Sequence, residues 1–228
     1  MRDLLFVACT RGRREETPLW ASLARLGLEG HFFEHNTSGL PERYNPVIDA
    51  HAGADRIVTF LHDDVQLADV FVRDKLEAAL SADGYAIAGL AGASSLDLAH
   101  ERPFTAWWHA PAEHRSGAVD HRMPSGRNLW TTYGATPRRC LVLDGLFLAV
   151  DMRRIGAVRF DPRFTFHFYD LDFCLSAHHA GLTMGTVNVY AHHASIGALG
   201  AGDSLLQQQR FRDKWADRLV GRVEVTED

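Results

Sequence analysis

The chain has 228 residues, 46% hydrophobic and 23% charged, enough for one sizeable α/β domain with a full core or for two small ones; one is expected. A formal charge of −5, from 24 Lys plus Arg against 29 Asp plus Glu, supplies no basic field for nucleic acid, and the one basic knot, RGRRE at 11–15, ends in a glutamate. Cys9, Cys140 and Cys174 are too few and too scattered for a disulfide framework or a CxxC site, and the run LLFVAC is too short for a signal-peptide core or a membrane span, so a reduced, cytoplasmic setting is expected.

The first half alternates strand-like and helix-like segments. LLFVACT reads as a buried strand. TPLWASLARLGLEG reads as a helix with Thr17 as cap, Pro18 at the first helical position, Trp20, Leu23 and Leu26 on one face, and a glycine stop. HFFEHN is a second strand. PERYNPVIDAHAG places Tyr44, Val47, Ile48 and His51 at helical spacing with an irregular start at Pro46. RIVTFL is the third strand, VFVRDKLEAALSADG a third amphipathic helix and YAIAGLAG a fourth strand. That order, complete by residue 92, suits a nucleotide-binding α/β sheet, in which ligands collect at the carboxyl ends of strands.

From 94 to 138 periodicity fades, and four prolines with three tryptophans predict a long, ordered, functional loop. CLVLDGLFLAV then reads as one strand or a pair interrupted by Asp144 and Gly145. FHFYDLDFCLSAHHAG leads into a helix ending at Gly181, TVNVYAHHAS is a last strand, and DSLLQQQRFRDKWADRL is a terminal helix with Phe211, Trp215 and Leu219 on one face. There is no internal repeat and no linker.

Three clusters carry possible chemistry. IVTFLHDDVQL ends a strand in His62, Asp63 and Asp64; alternation sends His62 and Asp64 to one side and Asp63 to the other, so the two carboxylates need not share a task. A hard divalent cation takes one or two such carboxylates and completes its shell with phosphate oxygens; a strand-end turn that caps the next helix is an equally weighted reading. In YDLDF, Asp170 and Asp172 open a helix, where capping and the helix dipole account for one and a general base for the other. In HHAS, His192 or His193 is placed to complete the shell that Asp64 begins. GALGAG at 197–202 lacks the order of a dinucleotide fingerprint and reads as a flexible loop, no GxSxG elbow is present, and Trp107 and Trp108 either stack on a sugar or anchor the long segment.

In this order the segments GLPERYNPVIDAHAGADRIVTFLHDDV, LVLDGLFLAV, FYDLDFCLSAHHAGL and HHASIG, spanning about 36–200, resemble GT-A glycosyltransferases of the family 2-like kind, in the streptomycin-biosynthesis-type subgroup; RFRDKW is similar as well. The resemblance implies a single-domain, Rossmann-like nucleotide-diphospho-sugar transferase fold with a mostly parallel central sheet. Residues 1–92 would form a nucleotide-binding half and 93–228 an acceptor and catalytic half. It implies Mn²⁺ or Mg²⁺, a nucleoside diphosphate sugar as donor, an unidentified acceptor hydroxyl, and inversion. Carried over by position, Asp64 is a metal ligand, and Asp63 meets ribose or metal. Asp170 is the base with Asp172 beside it, and His193, alternatively His192, is the late metal ligand. Thr10 and Arg11 meet the base and diphosphate, Asn36 and Asn45 sit in the matching loop and helix, and Asp144 and Gly145 line the donor-sugar pocket. Two departures stand out: HDD replaces a literal Asp-x-Asp, and Tyr169-Asp170 replaces the more usual Glu-Asp pair. Two rivals remain. A nucleotidyltransferase calls for a Gly-rich basic loop where TRGRREE has one glycine, and a non-catalytic nucleotide-sugar or carbohydrate-binding module would keep the fold without turnover.

Overall fold

The computed structural model describes residues 2–97, 106–195, 203–218 and 222–226. The first half runs β1 (Asp3–Cys9), α1 (Pro18–Leu26), β2 (Glu29–Phe33), α2 (Leu40–His51), β3 (Arg56–Leu61), β4 (Val65–Leu67), α3 (Val72–Ser81) and β5 (Ile87–Gly89). There follow β6 (Ala91–Ala93), β7 (Ser95–Asp97), β8 (Arg115–Arg122), β9 (Asn128–Gly134), β10 (Arg139–Cys140), β11 (Val142–Leu143) and β12 (Phe147–Asp151). The chain then continues through α4 (Tyr169–His179), β13 (Met184–Thr186), β14 (Ala191–His193), α5 (Ser204–Trp215) and β15 (Arg222–Glu224).

Local chemistry explains the early elements. Leu4 to Ala8 are buried without alternation, as in a strand covered on both faces. Thr17 Oγ1 accepts the Trp20 N–H at 3.2 Å, Pro18 needs no donor at the first position, and Gly27, at φ 65°, closes α1 in the left-handed region that only glycine enters freely. Helix α2 runs on through Pro46.

The main sheet has the order β10-β13-β5-β12-β3-β1-β2. Strand β1 is parallel to β2 and β3, and β5 to β13, but β12 is antiparallel to both β3 and β5, and β10 to β13. The sheet is therefore mixed, where the sequence predicted a mostly parallel one. Strand β12 does not reach its neighbours through a crossover helix: it returns from β11 of the second sheet through the Asp144–Leu146 corner and enters between β3 and β5 antiparallel to both, a direction set by long-range pairing and not by local pattern.

A second sheet, β11-β6-β8-β14-β4 with β9 paired to β8, stands against the first. The expected long loop thus contains a hairpin. Strand β8, RSGAVDHR, has no clean hydrophobic alternation because it lies between β6 and β14, and β9 is mostly exposed. Three runs that read as continuous are divided between the sheets: YAIAGLAG passes from β5 to β6, CLVLDGLFLAV through β10, β11 and β12, and TVNVYAHHAS from β13 to β14. The step from β3 to β4 makes the same passage, through His62, Asp63 and Asp64.

Rings of Tyr44, Phe60, Phe160, Tyr169 and Phe173 form the centre of the core, with Phe160 stacked on Phe173 at 3.9 Å. Helix α5 inserts Phe211 and Trp215; Leu219, the Gly-rich run at 197–202 and the end of HHASIG lie outside the described residues. Among the described residues, no helix is long and apolar enough to cross a membrane.

Candidate active site

The seam between the sheets opens into a cavity of about 820 Å³, lined by His62, Asp63, Asp64, Asp144, Asp170 and His193 among others. Four of these come from passages between sheets, where the backbone must turn and side chains are released from the ladder. One ligand-type atom from each of His62, Asp64 and His193 lies within 4.8 Å of the others. Asp63, pointing elsewhere, lies near Cys9 and Tyr44, whose ionisation its charge opposes.

The donor chemistry of this cluster fits a cation. Burial pushes the Asp64 carboxyl up, but hydrogen bonds from His193 and Ser195 and the charge of the two imidazoles outweigh it, so that its pKa falls to about 2. His193 Nε2 lies 3.2 Å from Asp64 Oδ1, while its Nδ1 is buried with no hydrogen-bond partner. Desolvation lowers the pKa of His62, which favours the neutral ring. The Tyr169 hydroxyl donates to the Gly145 carbonyl at 2.8 Å and lies 3.3 Å from His62 Nε2. With its one proton committed, the phenol can only accept from the imidazole, which leaves the lone pair on Nδ1. Outer hydrogen bonds of this kind orient metal-binding histidines.

Asp170, in the first turn of α4, accepts the Gly145 N–H at 2.8 Å. Burial and then the neighbouring Asp144 charge push its carboxyl up to about 7, against backbone N–H groups that pull it down. Asp144 is itself fixed by Trp107 Nε1 at 2.8 Å and by the Leu146 N–H at 2.9 Å. Gly145 leaves no room for a side chain: a Cβ there would overlap Tyr169 Oη and sit 2.9 Å from Asp170 Cβ. Gly145→Ala is therefore expected to lower the melting temperature and to displace Asp170, with a loss of ~1–3 kcal/mol by thermal unfolding.

Other predicted site residues lie elsewhere. Asp172 is not among the residues lining the cavity: fully buried, it pairs with Lys214 Nζ at 2.7 Å and accepts Trp215 Nε1–H at 2.9 Å, and so anchors α5. Asp172→Ala is expected to cost about 2–3 kcal/mol of stability while nucleotide affinity stays unchanged. His192 faces the outer side of β14 and lies 3.0 Å from Asp120, outside the three-residue cluster, because neighbours in a strand point oppositely. Asn45 clamps the Phe160 backbone by two hydrogen bonds, 2.8 and 2.9 Å, and is a brace between α2 and the segment that joins β12 to α4. Thr10 and Asn36 join the ends of β1 and β2 through a 2.8 Å backbone bond, with Arg11 exposed beside them; none of the three lines the cavity.

Sequence reasoning passed over Tyr169, Tyr133, His121 and Arg115. The first was read only as a departure, and the other three stand in the segment that lacks periodicity. His121 lies 3.1 Å from the Tyr133 hydroxyl and packs on His193 with ring centres 5.5 Å apart.

No protein-family profile matches the chain, and no curated protein matches its sequence. Among solved structures, GalNAc-T7 with UDP, GalNAc and Mn²⁺ is similar at a TM-score of 0.56 and 13% identity, over 96% of this chain and 49% of that one. The chain thus spans about half the length of that protein, a GT-A glycosyltransferase. A197 from STIV is similar over 85% of this chain and 82% of its own, at a TM-score of 0.47 and 12% identity. The fold is GT-A-like α/β with mixed sheets.

Proposed function

We propose that the protein is a metal-dependent glycosyltransferase that moves a sugar from a nucleoside diphosphate sugar to an acceptor hydroxyl with inversion. The observation that carries this is the meeting, in one cavity of a GT-A-like fold, of the His62–Asp64–His193 cluster with the raised carboxyl of Asp170. His62, Asp64 and His193 would hold the cation. Two imidazole nitrogens suit Mn²⁺ better than Mg²⁺, which prefers an all-oxygen shell. When bound, the cation supplies charge neutralisation for the leaving diphosphate.

Asp170 takes the acceptor proton as the acceptor oxygen bonds to the anomeric carbon, and the electron pair of the breaking carbon–oxygen bond leaves with the diphosphate. Its high pKa makes it a competent base near neutrality. The Gly145 N–H, in a backbone braced by Tyr169, holds that carboxylate, the Asp144 charge keeps its pKa high, and Asp144 with Gly145 faces the donor sugar. Asp63 meets the ribose, while Thr10, Arg11 and Asn36 form the edge that takes the base.

The test is release of nucleoside diphosphate from a panel of nucleotide sugars, with Mn²⁺, with Mg²⁺ and with EDTA. A nucleotidyltransferase would release pyrophosphate instead, and a binding module would bind donor without release. Equal release with Mn²⁺ and with EDTA, or none from any donor, overturns the proposal.

A further inference from the structure

Strand β8 runs along the cavity. Near its end His121 packs against His193, and six residues earlier, up to about 20 Å along an extended strand, Arg115 opens it. Both residues line the cavity. The Arg115 guanidinium makes no hydrogen bond or ion pair among the described residues, and its Nε is buried without a partner. A guanidinium is a permanent cation in proteins, so a half-buried one with no direct ion-pair partner among the described residues calls for an anion.

Between Arg115 and the cation cluster the walls are apolar or aromatic. Trp107 and Trp108 meet edge to face at 5.6 Å, Tyr133 packs on Trp107 at 4.7 Å, and Val119 fills the strand between. The only indole N–H of Trp107 is already given to Asp144, which leaves its ring for van der Waals contact. Tyr133, which packs on Trp107, lies within the electrostatic reach of both Arg115 and Asp144.

We infer that the acceptor is an amphipathic anion: a hydroxyl for transfer, an apolar body lying along the Trp107–Val119 wall, and a carboxylate or phosphate that pairs with Arg115. This deepens the transferase reading and rests on it for the role of the hydroxyl alone; the pairing with Arg115 stands apart from turnover.

The experiment measures binding of 12-hydroxydodecanoate, 12-hydroxydodecyl phosphate and the neutral 12-hydroxydodecanamide by calorimetry, below their micelle concentrations, with and without UDP and Mn²⁺. Wild-type protein should bind one or both anions about 10- to 100-fold tighter than the amide, as a charge-assisted pair warrants. Carboxylate against phosphate identifies the anion. Arg115→Gln should erase the preference, and Arg115→Lys, which keeps the charge without the planar fork, should retain part of it. An equal affinity for anions and amide in the wild type, or a preference that survives in Arg115→Gln, overturns the inference. So does a fall in UDP affinity in Arg115→Gln, which would assign the arginine to the donor. If Arg115→Gln does not fold, the wild-type comparison and Arg115→Lys decide. Failure of UDP to bind in the wild type would count against the transferase reading and leave the anion preference to be judged by itself.

Discussion

Asp64→Ala is expected to abolish the Mn²⁺ dependence of nucleotide binding, a loss on the order of 100-fold or more in UDP affinity at saturating Mn²⁺. Asp64 is the only carboxylate in the cluster; without it two imidazoles remain, and His193 loses the oxygen 3.2 Å from its Nε2. His193→Ala should fall by a comparable factor. His192→Ala should change nothing, because that ring faces Asp120 on the other side of the strand. Asp63→Ala should weaken nucleotide binding while keeping part of the metal dependence. Calorimetry with Mn²⁺ and with EDTA reads all four. A wild-type protein that binds UDP equally in both conditions would remove the metal from the account, and a His192→Ala variant as impaired as His193→Ala would remove the assignment of ligands.

The second large effect is on turnover. Asp170→Asn should lower sugar transfer by roughly two to four orders of magnitude while UDP affinity hardly changes, since the amide can still accept the Gly145 N–H but has no basic lone pair. The wild-type rate should rise with pH through about 7 and then level off, because the base works only after losing its proton. Stability has the opposite sign. A carboxyl whose pKa is raised in the folded state holds its proton there more tightly than in the unfolded chain, so stability falls as pH rises from about 4 through about 7 and is constant above. Asp170→Asn removes that penalty, and above pH 7 it should melt at a higher temperature than the wild type. Near-wild-type transfer in the variant would refute the base assignment. A melting temperature that drops at every pH would show that the carboxylate is structural.

Much of the first 92 residues was legible because its signals are local. Thr17, Pro18 and Gly27 specify the ends of α1 through hydrogen bonds and backbone angles within a few residues, and the apolar run of β1 and the mostly apolar run of β3, broken by Thr59, mark strands buried on both faces. The separation of His62 and Asp64 from Asp63 is expected from the period of an extended chain, but the structure achieves it in the turn between β3 and β4, closed by the Val65 N–H on the His62 carbonyl.

Where a side chain belongs to one of two faces, however, the sequence is silent about which face the cavity takes. Asp170 and Asp172 both open α4, about 200° apart around the helix; the position of α5, with Lys214 and Trp215, makes Asp172 an anchor and leaves Asp170 to the cavity. His192 and His193 differ in the same way, divided by the pairing of β14 with β4 and β8. The mixed sheet and the β8–β9 hairpin depend on partners far along the chain: β12 closes against β3 some 90 residues earlier, and β8 is held by β14 some 70 residues later. Periodicity records how often a position is buried, not what buries it. So composition and local pattern determined an α/β chain that delivers His62, Asp63 and Asp64 to a strand end, whereas the joining of two sheets decided that this end, the Asp144–Gly145 corner and Arg115 line one cavity, because only long-range strand pairing brings those segments to the same seam.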